Sequence, residues 1–303
     1  MSIFAYDFMQ RALIAAALIG LIAPLIGIFL VQRRLALLGD GMGHVALTGV
    51  GLAFLTGLAP VPTALVVAAV GALILELVRA RSRTAGDLAL ALVFYGGIAG
   101  GVLLTSLASG KASSALNQYL FGSLSTVATE DVLWLLAAGV VVLLILGFFG
   151  REMFAMTLDP DVAHVQGIRT TRLGILLTVL AAVTVVIGMR TVGLLLVSAI
   201  MIVPVAAAQQ LAGSFRATAI GAVIVGLACS LAGLTTSFTL DVPPGPTIVL
   251  LALAAFVIAA LIAIPLRRRR QRHPHPVDES DHSHHGHGSE NDRPSRHAQE
   301  ERP

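Results

Sequence analysis

The chain is 303 residues long, 56% hydrophobic and only 12% charged, with a mean hydropathy of +0.87 and a pI near 9.6. Soluble domains carry about 25% charged residues, so this composition excludes an ordinary soluble fold and points to an all-α polytopic membrane protein. The basic balance comes from loop arginines rather than from a surface built for nucleic acid, and the lone Cys229 leaves no disulfide framework and no cysteine-based metal cluster.

Asp7 and Arg11 precede the first apolar run and no small-residue cleavage site is evident, so no removable signal peptide is expected. Apolar runs near 20 residues are long enough to cross a hydrocarbon core of about 30 Å. They predict spans over 12–31, 45–58, 61–78, 87–107, 131–149, 173–189, 192–210, 217–237 and 247–266. The short second span can be completed by residues 39–44. Gly188, Arg190 and Gly193 interrupt 184–210 and mark it as a broken pair, which leaves eight or nine transmembrane helices. The segment 108–129 reads as a loop.

Arg33 and Arg34, the arginines from Arg79 to Arg83, Arg151, Arg169, Arg172, Arg216 and Arg267 to Arg270 all fall on one side under the positive-inside bias. With nine spans the N-terminus is outside and the C-terminus inside; with eight, the N-terminus changes side. Residues 1–266 therefore read as the membrane domain. Residues 267–303 are polar, first basic and then histidine-rich, and read as a disordered cytoplasmic tail. Gly96, Gly97, Gly100 and Gly101 make two overlapping GxxxG pairs, a pattern that lets helices approach closely within one chain or across a dimer seam.

Three segments carry candidate chemistry. Asp40 and His44 stand four residues apart between apolar stretches, so on a helix they share one face, roughly 5–6 Å apart at Cβ. They can share a cation, a proton or each other. From Asp159 to Gly167 the sequence reads as a short helix. Asp159 serves as N-cap, Pro160 fills the first helical position, Asp161 and Ala163 lie within it, and Gly167 takes a left-handed C-terminal cap. Such a helix is either a plain connector or a knob for a partner's groove. In the tail, seven of the nine histidines follow Arg272. His282, His284, His285 and His287 form a cluster of the kind that chelates Zn²⁺, Ni²⁺ or Co²⁺; the alternative is a solvated tail whose metal binding is incidental. Glu76, near a span end, reads as interfacial.

No nucleotide site is evident. The single lysine, Lys111, follows Gly110 without the glycine spacing of a phosphate loop, and neither an HExxH pair nor a GxSxG turn occurs. The chain reads as no enzyme, and uphill transport would need a partner or an ion gradient.

Five pieces in register carry a resemblance over residues 10–265. They are Arg33 to Asp40 followed by His44; Leu120-Phe121-Gly122; Asp159 to Gly167; Val192-Gly193-Leu194 through Pro204; and Pro244-Gly245-Pro246. Together they resemble the ZnuB-type metal-ion ABC permeases. That resemblance implies a homodimeric importer permease in the bacterial cytoplasmic membrane, with two copies of a cytoplasmic ABC ATPase beneath it and an extracytoplasmic metal-binding protein delivering Zn²⁺, Mn²⁺ or Fe²⁺. It implies that residues 159–167 form the coupling helix and that Asp40 and His44 form a metal station or gate, with no tightly bound cofactor. The histidine-rich tail inclines the cargo towards Zn²⁺; Mn²⁺ or Fe²⁺ import and a gradient-driven cation carrier are the alternatives. A siderophore or vitamin cargo fits less well, because it needs a wider path and more spans.

Overall fold

The computed structural model describes residues 6–81, 86–108, 112–122 and 127–271. Among them the chain forms eleven helices and no strand: α1 (Asp7–Gln32), α2 (Leu38–Thr56), α3 (Pro60–Arg81), α4 (Gly86–Leu107), α5 (Ala112–Phe121), α6 (Thr129–Leu158), α7 (Pro160–Val165), α8 (Thr170–Val192), α9 (Leu194–Leu211), α10 (Phe215–Leu240) and α11 (Pro244–Gln271). All but α5 and α7 are long and apolar enough to cross a membrane, so nine such helices occur among the described residues. Of the two counts open in the sequence, the structure has the larger. The helical residues 39–44 do complete the second span, and the break expected within 184–210 falls at Gly193, where φ is +90°. Inside lipid no water can satisfy a stray backbone group, and so nearly all of the polar backbone of the described residues is taken up within helices.

One expectation fails. Part of 108–129, read as loop, is the ten-residue α5. Its apolar residues are diluted by Ser113, Ser114, Asn117 and Gln118, so it falls short of a span and gives no hydropathy signal. The histidines at 282, 284, 285 and 287 lie outside the described residues.

Three helices form the interior. About two-thirds of the apolar windows of α1 and α2, and 72% of that of α8, are buried, against 22% for α6 and α11. α1 is packed by α6, α8, α9 and α10, while α2 is packed by α3, α4, α8 and α9. The outer helices present leucine, isoleucine and phenylalanine outward, for example Leu133, Leu144 and Phe148 on α6 and Leu250, Ile258 and Leu261 on α11. In water that would be an aggregation surface; against lipid tails it costs nothing. This packing belongs to the compact unit ending at Ile264; from Pro265 α11 continues through Arg267 to Arg270.

Candidate functional site

α2 begins at Leu38, which puts Asp40 in its first turn, where the exposed amide ends of the helix favour a carboxylate. His44 follows one turn later. Its Nε2 lies 3.8 Å from Asp40 Oδ1, with side-chain exposures of 16% for His44 and 29% for Asp40. The gap is too long for a direct N–H···O bond, which spans about 2.7–3.2 Å. Two metal–ligand bonds of about 2.1 Å each can bridge it, reaching up to about 4.2 Å. The His44 ring meets Phe94 of α4 edge-on, with centroids 4.8 Å apart, and its Nδ1 is buried with no hydrogen-bond partner among the described residues.

The packing around this pair is close. A Cβ on Gly97 would sit 2.7 Å from His44 C and Val45 N, so the backbone of α4 touches the backbone of α2 at the histidine itself. Thr48 Oγ1 donates to Gly97 O at 2.8 Å and ties the two helices one turn further along. α9 closes the other side: Met201 and Ser198 lie against Gly39, and Leu194 against Gly43. Among the described residues no three His, Cys, Asp or Glu side chains gather as a metal cluster. Asp40 and His44 thus offer two ligands, one oxygen and one nitrogen.

At another level of the fold three separated segments converge. Gly122 ends α5 with φ +73°, and Gly193 forms the α8–α9 break. A Cβ on Gly122 would lie 2.5 Å from Val192 O, and one on Gly193 would lie 2.5 Å from Phe121 C, so only glycine permits either approach. Gly245, at the start of α11, faces Phe121 O. Near this junction Arg190 Nε contacts Asp131 Oδ1 at 2.9 Å, with Asp131 only 3% exposed. The other Asp131 oxygen accepts from Ala128 N–H at 3.0 Å and caps α6. Burial holds the Tyr119 phenol of α5 above its ordinary pKa, with the Arg190 charge pulling it down.

α7 is built as its residues suggest. Asp159 Oδ1 accepts from the N–H groups of Asp161 and Val162 at 3.0 Å, Pro160 occupies the first turn, and Gly167 has φ +83°. Ala163 is buried against the body while Val162, His164 and Val165 face outward, Val165 being 87% exposed. Beside α7 lies a cavity of about 270 Å³ lined by Arg33, Glu76, Arg79, Met156, Pro160, Thr170 and Thr171. Glu76 is only 4% exposed. Its carboxylate takes Arg33 at 3.4 Å, Arg79 at 3.0 Å and the Thr178 hydroxyl at 3.4 Å.

With this geometry in view, a model described as the ABC 3 transport family matches residues 5–263. The chain belongs to the ABC 3 transport family. Among curated members, the manganese transport system membrane protein MntC of Halalkalibacterium halodurans is 33% identical over 257 residues, covering 85% of this chain and 88% of that one. The manganese import system permease protein ScaB of Streptococcus gordonii is 30% identical, covering 85% and 92%. A probable metal transport system membrane protein of Treponema pallidum is 32% identical, covering 79% and 90%. Among solved structures, PsaBC from Streptococcus pneumoniae in complex with Fab superposes with a TM-score of 0.79 at 29% identity, over 89% of this chain and 97% of that one. This member of the family is accordingly a membrane-embedded permease of an ABC metal transporter.

Within this ABC 3 permease the five motif segments do not gather at one place. Asp40 and His44 meet on α2, whereas Asp159 to Gly167 form a separate projection. The glycine segments at 122, 193 and 245 make a third locus. Sequence reasoning missed the Glu76 cluster, because Arg33 and Thr178 are 43 and 102 residues away from it in the chain. Glu76 lies near the end of α3, as its place in the sequence suggests, but is buried within the protein. It also missed the partnership of Asp131 with Arg190; the signal available was an acid and a base, each at the end of an apolar run, that had no local mate.

Proposed function

We propose that this permease passes Mn²⁺ into the cytoplasm across the bacterial cytoplasmic membrane as half of a homodimer. Two copies of an ABC ATPase drive it from below, and an extracytoplasmic metal-binding protein supplies it. Asp40 and His44 form the ion's station. The observation that carries the proposal is the 3.8 Å carboxylate–imidazole pair on α2, held inside the bundle by Gly97 and Leu194. Two ligands, with water completing the shell, hold a divalent ion weakly, which suits a path it must leave as readily as it enters. The unpartnered Nδ1 of His44 supports weak holding too. Metal-bound histidines generally donate their second ring N–H to an acceptor, and that acceptor strengthens the bond.

The choice of manganese over the zinc that the tail suggests rests on the named metal of MntC and ScaB and on the donor set. Carboxylate oxygen suits Mn²⁺ well, while imidazole serves either ion. α7 is the docking element for the ATPase, with Val162 and Val165 as its contact. Asp159 and Pro160 start the helix and Gly167 ends it, while Asp161 lies in its first turn and Ala163 anchors it to the body.

The test is radiolabelled Mn²⁺ uptake by cells that lack their own importers and express this permease with its ATPase and binding protein, with Zn²⁺ and Fe²⁺ as competitors. Mn²⁺ uptake that is lost in Asp40→Ala and in His44→Ala, with ATPase assembly retained, is the expected result. Wild-type uptake in both variants removes the station, and uptake of Zn²⁺ in preference to Mn²⁺ overturns the cargo. Transport by the reconstituted permease without ATP overturns the ATPase.

A further inference from the structure

We infer that the groove between α6 and α10 is a binding site for an anionic phospholipid of the inner leaflet. The groove has a volume of about 490 Å³. Leu25, Ile28 and Phe29 of α1 form its floor. Leu146, Gly147, Gly150 and Phe154 of α6 form one wall, and Phe215 and Ala219 of α10 the other. α6 and α10 both pack along α1 but make little contact with each other. They meet through Phe154 and Phe215, whose rings lie 4.6 Å apart, with Phe29 5.4 Å from Phe215.

Two features specify the occupant. The first is the shape of the apolar part. A Cβ on Gly147 or on Gly150 would meet nothing within 4 Å, so neither glycine is there to let another helix of this chain approach. Their missing side chains instead keep the groove open along the membrane-facing side of α6. An open apolar slot in a membrane-spanning wall takes an acyl chain.

The second is charge. Arg151 and Arg216 also line the groove, at the end marked by the Phe154–Phe215 contact, and no acidic residue is among its lining. Both arginines are exposed, and neither has an ion pair or hydrogen bond among the described residues. By the arginine bias this end faces the cytoplasm. Arginine forks match phosphate geometry in two-point hydrogen bonding, and basic pockets between helices on the cytoplasmic side recognise anionic headgroups. Phosphate at the two arginines with a chain against Gly147 and Phe29 satisfies both parts of the groove at once.

Native mass spectrometry of the full-length permease, purified in mild detergent and titrated with phosphatidylglycerol or phosphatidylcholine, tests this. The wild type is expected to retain phosphatidylglycerol in preference. Each arginine near the surface contributes about fivefold to binding an anionic lipid, so Arg151→Gln with Arg216→Gln should reduce the preference by roughly 30-fold. Gly147→Leu, which places its side chain in the empty space, should lose both lipids. If that variant fails to fold, the double arginine variant, altered only at exposed positions, still decides. Equal binding of the two lipids by the wild type, or unchanged retention in the variants, overturns the site. Cross-linking between copies through Gly147→Cys in a Cys229→Ala background also overturns it and assigns the face to a dimer seam.

Discussion

Gly97→Ala, with Gly96→Ala beside it, probes how the candidate ion station is held. At position 97 the added methyl would lie 2.7 Å from His44 C and Val45 N and 3.0 Å from His44 O, all backbone atoms that cannot rotate away. Comfortable carbon contacts are about 3.5–4.0 Å, so α4 must withdraw from α2 by roughly 1 Å. Overpacking of this kind costs about 1–3 kcal/mol. The withdrawal also stretches the 2.8 Å bond from Thr48 Oγ1 to Gly97 O, a further loss of about 0.5–1.5 kcal/mol. Phe94, one turn away on the same helix, moves off the His44 ring with it. At position 96 a methyl meets nothing within 4 Å, and a change there should stay within about 0.5 kcal/mol. Thermal unfolding of the two purified variants, followed by Mn²⁺ uptake in cells, reads both effects. Gly97→Ala should be less stable and lose uptake, while Gly96→Ala should match the wild type in both. Equal behaviour of the two neighbours would refute the reasoning, because only the rotation of α4 distinguishes them.

Two further outcomes follow from the end of the bundle that carries α7 and the Glu76 cluster. Glu76→Ala leaves Arg33 and Arg79 facing each other without their shared carboxylate. Breaking a buried pair in this way costs about 3–5 kcal/mol, so the variant should unfold at clearly lower temperature in detergent, while Glu76→Gln, which keeps the Thr178 contact, should lose less. Asp159→Ala removes the acceptor for two amide groups at the start of α7, about 1 kcal/mol of helix stability. It should weaken co-purification of the ATPase subunit without lowering the unfolding temperature of the permease by itself; unchanged co-purification argues against α7 as the docking element.

The spans were legible because each apolar run is as long as the bilayer is thick, and two departures from the expectation show where that signal fades. α5 is a helix too short and too polar to register as a span. α2 starts seven residues earlier than its apolar run, because Gly39, Asp40, Gly41, Gly43 and His44 dilute it. The Asp40–His44 pair was legible because it is local: a spacing of four on a helix brings two side chains together whatever the rest of the chain does. The capping of α7 was legible for the same reason. Glu76 was not, since two of its partners, Arg33 at the end of α1 and Thr178 on α8, are distant in sequence and only tertiary packing, with α3 lying against α8, brings them to it. The glycines at 96 and 97 look equivalent in sequence, yet one faces open space and the other a histidine's backbone.

The contact between Gly122 and Gly193 links places that the chain order keeps apart. Gly193 leads straight into Leu194, which rests on Gly43, the residue before His44. A rigid shift of α5 therefore presses, through two backbones and one leucine, on the helix that holds the candidate ion ligands. Bulk introduced at either glycine should register at the imidazole even though neither touches it, and a probe attached near Phe121 would report on events at Asp40.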